Sequence, residues 1–295
     1  MISRVYAALF LFVLFCCVAR AEPEFASVDE QLTYFAGLAE TELAQYDIAY
    51  LNLVCAQGLK GSENLDIPAC LARLDQMAKE IGVKIEAGKS TYERDPASFE
   101  NSLGHFKAIS MVTYAVRDYG VMYNPARIET PNSLSSDDVF FADSKDVFIN
   151  GLLQGEQPTG TCSSLPVYWI ALGRRMGCPL RMSNTLLHFF VRWDGDGDRF
   201  NFEGSQNGCG IYDDQHYREW PVRVDEAKVE YLGLLESFTR KEELMHFLIE
   251  RGNCLKANGR DEEARSTYRL ALTCYPNNFA KTYLYLNRDF MKEKK

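Results

Sequence analysis

The sequence predicts an α+β fold: a helical N-terminal region, a core in which one helix packs on a small antiparallel sheet, and a helical hairpin at the C-terminus. Three observations predict it. Apolar residues recur at helical spacing through Leu32, Phe35, Leu38, Leu43, Tyr46, Ile48, Leu51 and Val54, and again through Leu71, Leu74, Met77, Ala78 and Ile81. Between residues 180 and 203 the period shortens to two, and turn residues separate the runs. After Trp220-Pro221 the helical period returns.

Residues 1–21 stand outside that fold. Arg4 precedes an apolar stretch from Val5 to Val18, and Ala19-Arg20-Ala21 supplies a cleavage site flanked by small residues. The stretch is shorter than the roughly 20 residues a spanning helix takes. The expectation is therefore an export signal, and a mature chain that is periplasmic or extracellular with no membrane span. Loss of Arg4 and Arg20 takes the net charge from -9 to -11. That balance, with no basic stripe, argues against a nucleic-acid partner.

In the N-terminal region (22–122) a helix is expected from Asp29 to about Val54, ended by Gly58 and Gly61. Asp66, just before Ile67-Pro68, caps the next, since proline suits a first turn. A third opens near Asp95-Pro96 and Ser98, runs through Phe106, Ile109, Val112 and Val116, and stops at Gly120. A loop with Asn124-Pro125 and Thr130-Pro131-Asn132 begins the core region (123–222). There the pattern reads as a helix from Cys162 to Gly177, strands near 180–183, 187–193 and 199–203, and a short helix beginning at His216. In the C-terminal region (223–295), Thr239-Arg240-Lys241-Glu242 is a capping box, and a last helix covers Phe279 to Phe290.

Cys162 is the candidate nucleophile. It stands where Gly160-Thr161-Cys162 enters a helix, and the positive end of the backbone dipole favours a thiolate there. His188 follows on one predicted strand and Glu203 on the next. If the hairpin turns at Asp194-Gly195-Asp196-Gly197 and Trp193 pairs with Asp198, His188 lies opposite Glu203 and Phe190 opposite Asn201. Arg192, His188, Asn201 and Glu203 then share one face. A carboxylate so placed fixes the imidazole while its other nitrogen takes the Cys162 proton. Asn201 is the alternative orienter. Arg192 neutralises Glu203, contacts a substrate carboxylate, or is a strand arginine with a solvated head.

Counting on from Cys162, the placing of Leu172, Arg174, Gly177, Pro179 and Arg181 resembles the nucleophile-helix signature of the transglutaminase-like, papain-related thiol enzymes. In that family a His on one strand and an acid on the next complete the site. Residues 52–59 and 71–75 resemble the helical lead-in of the SirB1-related group. Leu248, Gly252, Leu255, Gly259, Ala264, Tyr268, Ala271 and Pro276 fall at the spacing of one tetratricopeptide (TPR) repeat. The resemblance implies a papain-like core, a Cys162–His188–Glu203 triad that attacks an amide or isopeptide carbonyl by hydrolysis or acyl transfer, a peptide or protein amide as substrate, and no cofactor. The sequence departs from the pattern at Glu203, where the commoner acid is Asp. The alternative is a catalytically silent module of the same fold that binds a protein partner through the TPR-like region.

Several other residues carry weaker signals. Gln154 and Gln157 precede Cys162, where papain-type enzymes place a glutamine, and the Cys162 amide is the other candidate oxyanion donor. His216 is a second candidate base, whereas His105 and His246 read as packing or surface residues. Asp194, Asp196 and Asp198 miss the EF-hand spacing, with Arg199 in the glycine place and Ser205 in the terminal Glu place. Neither CxxC nor HExxH occurs, so no metal is expected. Seven cysteines follow residue 21, and an odd number leaves one thiol free in an oxidising compartment. With Cys162 free, proximity suggests Cys55–Cys70, Cys178–Cys209 and Cys254–Cys274.

Overall fold

The computed structural model of the chain describes residues 24–128, 137–155 and 157–292. The expected export signal at 1–21 and the Thr130-Pro131-Asn132 segment lie outside the described residues. Ser27 accepts from Glu30 N and opens helix Val28–Gly37; Asp47 accepts from Ala49 N and opens Ile48–Ala56, with the one-turn helix Glu40–Leu43 between them. The single helix expected over 29–54 is thus three. The backbone turns extended at Leu38 and Ala39, and Asp47 caps afresh. Asp66 caps the 28-residue helix Ile67–Arg94, as its position before Ile67-Pro68 predicts. Helix Leu103–Tyr119 starts later than Asp95-Pro96 suggests, because Pro96–Phe99 forms only a 3-10 turn and Ser102 is the cap.

Two sheets follow. Strand β1 (Met122–Tyr123) pairs in parallel with β2 (Thr159–Gly160). Strands β3 (Leu180–Thr185), β4 (His188–Gly195), β5 (Asp198–Ser205) and β6 (Gly208–Tyr212) form an antiparallel sheet in that order. Helix Ser164–Arg175 packs across β3, β4 and β5 and against Ile67–Arg94. The glycine after Glu203 permits this approach: a Cβ on Gly204 would sit 2.7 Å from both Trp169 Cε2 and Val112 Cγ2. β6 is absent from the predicted strands because Gly208-Cys209-Gly210 carries no alternating apolar signal.

The β4–β5 register differs from the expected one. Asp196 and Gly197, with φ of 58° and 84°, form a two-residue turn, so Gly195 pairs with Asp198 and Trp193 with Phe200. The four-residue turn assumed from Asp194 to Gly197 is corrected by two positions. A shift of two leaves each side chain on its own face, so His188, Arg192, Asn201 and Glu203 still share one.

Thr239 and Glu242 close the capping box that opens Arg240–Ala257, and Asp261–Cys274 follows after a short turn to form a helical hairpin. Gly252 lies where the two helices meet, since a Cβ there would be 2.4 Å from Tyr268 Cε1. The hairpin seats on the N-terminal helices. Buried Arg251 donates to the Cys55 and Gln57 carbonyls at 2.8 and 2.7 Å, satisfying the open end of Ile48–Ala56. Helices Asn278–Leu286 and Arg288–Met291 divide the predicted last helix at Asn287. One apolar core extends from Leu32 to Ala280 and draws on all three regions. The fold is therefore α+β and mostly helical, with two small sheets. No described helix is long and apolar enough to cross a membrane.

Candidate active site

The helix after Cys162 begins at Ser164, so Cys162 sits in the turn that leads into it rather than in its first turn. That turn is already wound, with Leu165 N donating to Thr161 O at 2.9 Å. Asp146 sets its position. Thr161 Oγ1 and Ser164 Oγ donate to the Asp146 carbonyl at 2.6 and 3.3 Å, and Thr161 N donates to Ser164 Oγ at 2.9 Å. The Asp146 carboxylate accepts in turn from Asn124 Nδ2 at 2.6 Å and Arg127 Nε at 2.8 Å. These hydrogen bonds fix the backbone on either side of Cys162.

His188 opens β4, and its Nε2 lies 2.8 Å from Glu203 Oε1. In the observed register the two are diagonal neighbours, since the β4–β5 rung nearest His188 is Val191 with Phe202. Diagonal positions are separated by roughly 7–8 Å along the backbone. The long glutamate side chain spans that gap, which gives a physical reason for Glu where the resembled family more often has Asp. Glu203 Oε1 also accepts from Tyr217 Oη at 3.0 Å.

Burial opposes charge on the His188 imidazole. Hydrogen bonding to Cys162 and to Glu203, together with their negative charges, outweighs it and holds His188 up at about 9. Cys162 and Glu203 therefore act on one ring. Nε2 is the ring nitrogen turned to Glu203. Beside Cys162 lies a pocket of about 20 Å³ lined by Thr161, Leu165, Trp169, Val191, Phe202 and Glu203. Its volume suits one water.

The two support residues have other roles than expected. Asn201 Oδ1 accepts from Arg192 Nε at 2.8 Å and its Nδ2 donates to Asp214 Oδ1 at 2.8 Å, so Asn201 does not orient His188. Arg192 is fully buried. It bonds the Leu235 carbonyl and pairs with Asp214, and neither neutralises Glu203 nor carries a solvated head. Together they fasten helix Asp214–Glu219 to the sheet, and that helix carries Tyr217. Tyr217 is buried, stacks on Phe190 at 3.7 Å, and its carbonyl accepts from Thr185 Oγ1 at 2.8 Å. Trp220 sets its indole edge-on to His188 at 4.6 Å. Sequence reasoning missed both aromatics. The short helix expected from His216 begins two residues earlier, at Asp214, and nothing in its spacing aims Tyr217 at Glu203.

The remaining candidates lie elsewhere. Gln154 spends its amide on the Asn64 carbonyl at 2.8 Å. His216 stacks on Tyr212 and leans on Trp220, His105 packs on Phe200, and His246 is buried among Phe189, Phe238 and Phe279. Asp194 and Asp198 accept from Ser237 and Ser102, while Asp196 turns the hairpin. Among the described residues no group of three or more His, Cys, Asp or Glu is placed to hold a metal ion.

All seven described cysteines are free, so the three suggested disulfides are not formed. Burial pushes Cys55, Cys209 and Cys274 up to about 12, Cys70 and Cys178 up to about 11, and Cys254 well above its usual range. Five of those six are buried small hydrophobes. No protein-family model, curated protein or solved structure matches the chain.

Proposed function

We propose that the chain is an exported thiol enzyme of the transglutaminase-like, SirB1-related type, with a papain-like core and a TPR-like hairpin, that attacks an amide or isopeptide carbonyl of a peptide or protein. The observation that carries this reading is the 2.8 Å pairing of His188 with Glu203 on a ring that Cys162 also engages. The Cys162 thiolate bonds to the carbonyl carbon, and the Cys162 amide at the helix approach faces the developing oxyanion. The C–N bond breaks as His188 gives its proton to the departing nitrogen, leaving a thioester on Cys162. Water or an amine then attacks the thioester, His188 takes the incoming proton, and the C–S bond breaks to return the thiolate. Glu203, held by Tyr217, keeps the ring in the required orientation.

The second reading is a catalytically silent module that binds a protein partner at the C-terminal hairpin. The narrow pocket favours it, since ligand pockets usually enclose roughly 300–1,000 Å³. Labelling with iodoacetamide near neutral pH, followed by peptide mapping, separates the two. A nucleophile predicts that Cys162 is modified before the other cysteines and much faster than a free thiol peptide, and that His188→Ala removes this lead. Labelling no faster than the peptide, unchanged in His188→Ala, overturns the enzyme reading.

A further inference from the structure

A cleft of about 670 Å³ opens at the end of helix Ser164–Arg175 remote from Cys162. That helix is 12 residues long and spans roughly 18 Å at about 1.5 Å per residue, so the cleft and the candidate thiol are separate places. Its volume falls within the roughly 300–1,000 Å³ of ligand pockets, unlike the narrow space beside Cys162. Helix Ile67–Arg94 lines it with Ala78 and Ile85, and the turn after Arg175 adds Met176 and Cys178. Gly82 leaves room between them, since a Cβ there would come no closer than 3.8 Å, to Met176.

Charge sets the cleft apart from the rest of the chain. Lys79, Lys107 and Arg175 outnumber Asp75 and Glu86 on its lining, in a protein of net charge -9. Arg175 is already engaged, by Asp47 at 2.8 Å and Asp75 at 2.6 Å. Lys79 and Glu86 are exposed, unpaired among the described residues and of opposite sign, so the uncompensated charge is that of Lys107. Lys107 is half-buried and makes no ion pair or hydrogen bond among the described residues. Burial pushes the Cys178 thiol up to about 11 and the Lys107 ammonium opposes that rise, so its charge is felt at the apolar lining. A half-buried ammonium without a counter-ion is costly, and an anion in the cleft would relieve it.

We propose that this cleft binds a small amphipathic anion, an aromatic or aliphatic body carrying one acidic group, with Lys107 meeting the acid and the apolar lining covering the body. The occupant follows from what the cleft offers. An apolar body displaces water from the lining around Gly82. A neutral ligand would leave Lys107 desolvated and unpartnered, and a second negative charge would find no further uncompensated cation. The assignment stands independently of the thiol-enzyme reading.

The test titrates the mature chain with two fluorescent probes, 1-anilinonaphthalene-8-sulfonate and N-phenyl-1-naphthylamine, which share one apolar body and differ by a sulfonate. Both should bind the native chain saturably. Lys107→Gln should weaken the sulfonate by about fivefold, the scale of an ion pair partly open to solvent, and leave the neutral probe within about twofold. Gly82→Leu puts a side chain into the cleft and replaces a helical glycine with a better helix former. It should weaken both probes by about tenfold or more while the melting temperature holds or rises. No saturable binding of the sulfonate overturns the proposal, as does sulfonate binding that Lys107→Gln leaves unaltered. Equal losses for the two probes in Lys107→Gln overturn it too, and so does native affinity for the sulfonate in a folded Gly82→Leu chain.

Discussion

Glu203→Gln isolates the charge that holds the imidazole. The variant keeps the length of the side chain and an oxygen for Tyr217 Oη, but removes the negative charge 2.8 Å from His188 Nε2. Two unit charges about 4 Å apart interact by about 4 kcal/mol at an effective dielectric constant near 20. Glu203 is 34% exposed at its side chain, so solvent screening brings the net effect to about half of that. A loss of about 2 kcal/mol corresponds to between one and two pH units, which carries His188 from about 9 to roughly 7.5. The imidazolium is correspondingly less populated. Iodoacetamide labelling of Cys162 at pH 8 should fall by about fourfold, the drop in imidazolium population that this shift gives there, and an NMR titration of His188 should show the lowered midpoint. An unchanged midpoint and a labelling rate within twofold of native, in a variant with native circular dichroism, would refute the argument that this carboxylate sets the state of the ring.

Two shorter predictions follow from the same geometry. His188 is raised from 6.5 to about 9 on folding, so its contribution is fully present below the unfolded value and lost as pH rises through about 9. Urea unfolding should show stability declining by about 3 kcal/mol between pH 6 and pH 10, and His188→Ala should flatten that decline. Arg192→Met leaves the Leu235 carbonyl, Asn201 and Asp214 without the buried guanidinium. Removing one partner from such a network costs about 3–5 kcal/mol, and the melting temperature should fall by roughly 10 °C. Arg192→Lys should not restore it, because one ammonium cannot reproduce the planar fork.

What the sequence disclosed depends on the range of the forces involved. Caps and turns are local, and Asp66, Gly120, Thr239 and Glu242 act where their positions predict. The error at 29–54 arose because apolar periodicity continues across Gly37 and Asp47 although the backbone does not. The face shared by His188 and Glu203 was legible because alternation has a period of two, which a register shift of two cannot disturb. The register itself is displaced by two when four residues are counted as the turn, because Asp196-Gly197 alone makes it. Arg192 and Asn201 were illegible in a different way. Their partners, Asp214 and Leu235, lie 13 to 43 positions along the chain and belong to elements whose docking no local pattern encodes.

The cysteines supply a further prediction that bears on both compartment and chemistry. An odd number of cysteines after residue 21 suggests three bridges and one free thiol; the fold instead keeps six thiols as packing or semi-buried groups and leaves Cys162 beside an imidazole. A thiol held at about 12 is ionised to roughly one part in 10⁵ at pH 7, and the thiolate is the species that attacks an oxidant or a disulfide. Export into an oxidising compartment therefore does not require these residues to pair. Their resistance is kinetic, supplied by burial, and should vanish on unfolding. Ellman's reagent should register one fast equivalent in the native chain beginning at Glu22 and all seven in denaturant without reductant. Cys209, semi-buried on β6, should be the next to react. A single equivalent in denaturant would mean that three disulfides exist after all. Several fast equivalents in the native state would mean that burial does not protect the others, and Cys162 would lose the chemical distinction on which its assignment as nucleophile depends.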